Sequence, residues 1–137
     1  MLARTKKVDC KTCIAFIKSV QYLRLMLQHL DIPVTLLITA ILAFAMLCPL
    51  EAPPPAPKGS DKFIHLIAFA ALSFPLSITG RLGLLPIFIL ASVFGGIIEL
   101  VQPRFNRSAD LHDWIADIFG VGLGIVFGLL YRQLRNN

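Results

Sequence analysis

The chain has 137 residues, 56% of them hydrophobic and only 15% charged, with 13 Lys and Arg against 8 Asp and Glu for a net charge of +5. Its mean hydropathy of +0.75 excludes an ordinary water-soluble domain, in which about a quarter of the residues carry charge. The basic excess does not indicate nucleic-acid binding, because no basic surface is interleaved with aromatics, and it finds its place in membrane topology instead.

Residues 1–31 form a basic segment carrying Arg4, Lys6, Lys7, Lys11, Lys18 and Arg24 against Asp9 and Asp31. A secretory leader is not expected, since the charged region is too long and no small-residue cleavage site follows the first apolar run. From Ile14 to Leu30 apolar residues alternate with Lys18, Gln21, Arg24 and Gln28. That pattern suits an interfacial helix on anionic lipid, or equally a loose extension. Cys10 and Cys13 make a CxxC, but only His29 stands near as a further ligand, which favours two reduced thiols over a zinc or redox centre. Cys48 reads as apolar filling.

Residues 32–137 then contain four runs long enough to span about 30 Å of hydrocarbon: Ile32 to Leu50, Phe63 to Thr79, Leu84 to Val101, and Ile115 to Tyr131 entered through Leu111 to Trp114. Short connections predict one all-α domain, a compact up-and-down bundle of four transmembrane helices. With the N-terminus cytoplasmic, the inner side holds the N-terminal basic cluster, Arg81, Arg132 and Arg135, and the outer side only Lys58, Lys62, Arg104 and Arg107. The positive-inside rule therefore places both chain ends in the cytoplasm and the loops 51–62 and 102–110 outside.

The first outer loop is a proline-rich spacer with Pro53, Pro54, Pro55 and Pro57, after which Ser60 and Asp61 are expected to cap the second span. Asp61 and His65 are i and i+4, on one helix face, and Lys62 lies beside them. Pro75 is expected to kink this span, Gly80 to Gly83 to turn the chain, and Pro103 to end the third helix. On the third span Ser92, Gly96 and Glu99 share a stripe, with Gln102 just above. On the fourth, Asp113, Asp117, Gly120, Gly124 and Gly128 fall within one wedge, so the acids continue into a small-residue seam and face other helices rather than lipid. Asp110 is placed to cap that helix, and Asp117 lies about 6 Å deeper than Asp113. His112 and Trp114 suit the headgroup level.

Topology and helical phase thus bring Asp61, Lys62, His65, Glu99, Gln102, Arg107, Asp113 and Asp117 to one outward end, as a shallow polar cavity for ligand binding. Ionisable groups at membrane depth are costly and need a reason. His65, Glu99 and Asp113 are the candidate catalytic groups should there be turnover. In the structural alternative Glu99 pairs with Arg107, and Asp113 with Arg107 or His65, and these pairs pin helix ends. A metal site of His65, Glu99, Asp113 and Asp117 is set aside at this stage, because only one histidine is present and Arg107 would repel a cation.

The ordered pattern of Asp61, Lys62 and His65, then Glu99 and Gln102, then Arg107, Asp113, Asp117 and Gly120 resembles the VanZ-like family of small bacterial membrane proteins. The resemblance covers about residues 60–130, with Asp117 where the family more usually carries Asn. It implies a multi-pass protein of the bacterial inner membrane and a connection with sensitivity to teicoplanin-type glycopeptides. Three readings of function follow. The first is a non-enzymatic envelope protein that binds membrane lipid or a lipid-linked cell-wall precursor. The second is a hydrolase or transferase acting on a phosphorylated lipid headgroup, with Arg107 and Lys62 holding phosphate. The third is a proton- or cation-linked carrier using Glu99, Asp113 and Asp117. None calls for a cofactor or for nucleic acid.

Overall fold

The computed structural model describes residues 10–48 and 59–136, without the side chains of 10–17, 20, 23, 24, 27, 28 and 136. The proline spacer and the Cys10 and Cys13 thiols lie outside the described residues. Those described are helical apart from short turns: α1 Cys10–Leu47, α2 Ser60–Thr79, α3 Leu84–Val101, a 3-10 turn over Gln102–Phe105, and α4 Leu111–Asn136. Four segments are long and apolar enough to cross a membrane: His29–Leu47, Ser60–Thr79, Leu84–Phe105 and Leu111–Arg135.

Two local expectations are corrected. Residues 10–30 are not a separate element but continue directly into the first span through Pro33, giving a helix of 38 residues. Gly59, not Ser60 or Asp61, is the N-cap of α2, with φ 97° and no side-chain cap. Its missing Cβ admits the left-handed conformation, and Asp61 is left in the first turn, where a carboxylate complements the helix dipole. The third α-helix does end at Pro103, with Val101 its last residue, and a 3-10 turn over Gln102–Phe105 follows, closed by Asn106 in the left-handed region.

The most extensive helix pairing is between α2 and α4. Its cause is the glycine seam. A Cβ on Gly120 would meet the Leu66 carbonyl, one on Gly124 the Ala70 carbonyl and Ser73 Oγ, and one on Gly128 Ser77. Backbone therefore lies against backbone, which a larger side chain forbids. The Ser73 hydroxyl donates across this contact to the Val121 carbonyl at 3.1 Å. Phe69 and Val121, both fully buried, fill the core beside it.

α1 is held differently, with only 11% of its span buried against 33% for α4. One fastening is Asp31, which is 3% exposed. Its carboxylate accepts from Thr79 Oγ1 at 2.7 Å, the Ile32 N–H at 2.7 Å and Arg81 Nη1 at 3.4 Å. The other is the Met46 carbonyl, which accepts from Gln102 Nε2 at 3.4 Å and Arg107 Nη1 at 3.2 Å. Asp31→Ala is expected to cost about 1–3 kcal/mol, the penalty for stranding buried donors, read as thermal unfolding in lipid nanodiscs.

These contacts place Asp31, the α2–α3 turn and Arg132, which packs over Gly80, at one end of the helices. Met46, Lys62, Glu99, Asp110 and Asp113 lie at the other end.

Candidate functional site

The polar end is assembled from α2, α3, α4 and the loop before α4. Asp110 caps α4: its Oδ1 accepts the His112 N–H at 2.9 Å, and its carbonyl accepts the N–H groups of Asp113 and Trp114. Lys62 crosses from α2 and donates to Asp110 Oδ2 at 2.8 Å and Asp113 Oδ1 at 2.9 Å. The Lys62 ammonium, followed by the N–H and ring of His112, holds the Asp110 carboxyl well below the usual carboxylate range. Glu99 Oε2 accepts the Asp110 N–H at 3.0 Å, which ties the end of α3 to the start of α4.

Beneath this layer lies a second one. His65 Nδ1 is 2.9 Å from Asp117 Oδ1 and 4.0 Å from Glu99 Oε1. His65 is 2% exposed, Glu99 6% and Asp117 0%. The carboxylate partner of His65 is thus Asp117 on the facing helix α4, rather than Asp61 on its own helix. Asp61 is exposed, although Asp61, His65 and Asp113 also bring one ligand-type atom each within 4.8 Å of the others. Glu99 Oε1 and Asp117 Oδ2 are buried with no hydrogen-bond partner among the described residues.

Two expected members stand apart. Arg107 donates to the Met46 carbonyl, and at 3.5 Å to that of Ala45, and forms no ion pair with Glu99 or Asp113 among the described residues. Four carbonyls at a helix C-terminus lack intrahelical donors, and a guanidinium there finds both acceptors and the negative end of the dipole. Gln102 turns to the same carbonyl. Both therefore fasten α1 and contribute nothing directly to the acid cluster. Trp114 packs across to α3: its indole lies over Gly96 and its Nε1–H donates to the Ser92 carbonyl at 2.9 Å.

Gly95 is the residue that sequence reasoning missed. A Cβ there would come within 2.7 Å of Asp117 Oδ2, so its absence makes the space for this carboxylate. The signal was available, since Gly95 lies one turn before Glu99 on the same face of α3. Comparison with protein-family models, curated proteins and solved structures gave no match for the chain.

The lower layer is buried, the Lys62 and Asp110 side chains of the upper layer are partly exposed, and two apolar volumes lie beside them. One groove of about 340 Å³ runs along α2 and α4 between Phe63, Leu66, Ile115 and Phe119, and ends at Lys62 and His112. A second, of about 490 Å³, runs along α3 and α4 between Val93, Ile97, Leu100 and Trp114, and ends at Glu99 and Asp110.

Proposed function

We propose that this chain is a VanZ-like protein of the bacterial inner membrane that binds a lipid-linked envelope component at its polar end. In this reading the four spans form a compact bundle with both chain ends cytoplasmic. The positive-inside distribution of Lys and Arg supports that orientation.

The observation that carries the reading is that two apolar grooves terminate at one polar cluster. A groove open to lipid and headed by fixed polar atoms suits an amphiphile, with chains along the helices and a headgroup at their end. The electrostatics narrow the headgroup. Lys62 is shared by two carboxylates and Arg107 is engaged elsewhere, so the groove heads offer mainly acceptors. Hydroxyls of a sugar match them better than phosphate does, which supports a glycosylated lipid. A phosphoryl-transfer enzyme finds less support, because the cations it needs are committed and His65 is nearly inaccessible. The effect on glycopeptide sensitivity would follow from sequestering or exposing such a lipid.

The test uses native mass spectrometry of the full chain released from nanodiscs containing a monoglucosyl diacylglycerol and phosphatidylglycerol in equal amounts. The glucolipid is expected to be retained in preference. Val93→Trp, which fills the wider groove from an exposed position, is expected to abolish that preference. Equal retention of both lipids, or a preference that survives Val93→Trp, would sink the reading.

A further inference from the structure

We infer that His65, Glu99 and Asp117 form a binding site for one divalent first-row metal ion beneath the Asp110–Lys62–Asp113 layer. The proposal does not depend on what occupies the grooves.

The donor geometry fits. With bonds of 2.0–2.2 Å, two ligand atoms on one metal lie between about 3.0 Å apart at a right angle and about 4.2 Å apart in line. His65 Nδ1 stands 2.9 Å from Asp117 Oδ1 and 4.0 Å from Glu99 Oε1, and one ligand atom from each of the three residues lies within 4.8 Å of the others. One imidazole and two carboxylates suit zinc, manganese, iron or cobalt in the divalent state.

The second observation is independent of the cluster's composition. Glu99 Oε1 faces His65 at a distance too long for a hydrogen bond, and both it and Asp117 Oδ2 lack a hydrogen-bond partner among the described residues. Buried carboxylate oxygens are costly when unpartnered, and a cation held by these side chains offsets that cost. Gly95 leaves room for Asp117 at the cost of a helix-weakening residue. The objection that Arg107 would repel a cation falls away, since its guanidinium is held at the end of α1.

The overlapping set of Asp61, His65 and Asp113 is the weaker candidate. Asp113 is already engaged by Lys62, and Asp61 is exposed. To ligate the ion, His65 presents the lone pair of Nδ1 as a neutral ring with its proton on Nε2.

The proposal is tested by titrating the chelator-treated protein in zwitterionic nanodiscs with Co²⁺, reading its visible absorption and the bound metal per chain. One Co²⁺ per chain is expected, with a spectrum showing nitrogen ligation. Glu99→Gln, nearly isosteric and able to keep its bond to the Asp110 N–H, is expected to weaken binding by about 100-fold or more, since a direct ligand contributes at least as much as the about 10–100-fold of an outer-sphere partner. Asp61→Asn is expected to leave affinity unchanged. Absence of stoichiometric binding by the wild type would overturn the proposal. So would equal weakening by Asp61→Asn and Glu99→Gln, which would mark diffuse attraction to surface acids.

Discussion

Gly124→Leu is expected to destabilise the protein by about 3 kcal/mol or more, at or above the upper end for overpacking a filled interface. Any Cβ at Gly124 meets the Ala70 carbonyl and the Ser73 hydroxyl, so neither a rotamer change nor a small shift relieves the clash. The helices must separate, which breaks the Ser73 to Val121 bond and opens the core beside Phe69. Alanine gains about 1 kcal/mol of helix propensity over glycine. A loss of stability in Gly124→Ala would therefore isolate the steric term. Leu123→Ala, on the lipid-facing side of the same turn, serves as the control and is expected to change little. The measurement is thermal unfolding in nanodiscs, and equal midpoints for Gly124→Leu and wild type would show that the α2–α4 approach is looser than described.

The second large effect is expected at Asp117. Asp117→Ala removes the bonded partner of a histidine that is 2% exposed, at a cost of about 1–3 kcal/mol for stranding a buried hydrogen-bonding group. Glu99→Gln should behave oppositely. Its amide oxygen can keep the Asp110 N–H, while the change removes a charge from an oxygen that has no hydrogen-bond partner among the described residues. Stability measured after chelator treatment is thus expected to fall in the first variant and to hold or rise in the second. That contrast separates a side chain held for folding from one held against it, the usual signature of function. A large loss in Glu99→Gln would make the cluster a structural clamp.

Much of the α-helical pattern was legible because apolar length and helical phase are one-dimensional properties. The spans could be read to within a few residues, and the wedge of Asp113, Asp117, Gly120, Gly124 and Gly128 follows from 100° per residue alone. Partner choice was not legible. Nothing in the sequence says that the glycines meet α2 rather than α3, since Ala70, Ser73 and Ser77 carry no mark beyond small size. Arg107 illustrates the same limit: a cation near several acids looks destined for them, but the carbonyls of Ala45 and Met46 compete, and only the tertiary fold brings them within reach. The Gly59 cap was misread because Ser60 and Asp61 are favourable caps and a glycine just before them gives no sign of which residue turns first.

The two ways of fastening helices have a mechanical consequence. Sliding α4 by one turn against α2 would carry Asp117 about 5.4 Å past His65 and drive each glycine off its facing carbonyl. The pair must therefore respond to a thinner or thicker bilayer by tilting together as one rigid plate. α1 is hydrogen-bonded to the bundle near its two ends and packed on it between them through Ile38, Leu42 and Ala43. It faces lipid over most of its span and shows no glycine interlock among the described residues, so it is the freer of the two to bow or tilt. Hydrophobic mismatch is thus absorbed by α1, and the spacing between His65 and Asp117 is insulated from the thickness of the membrane around it.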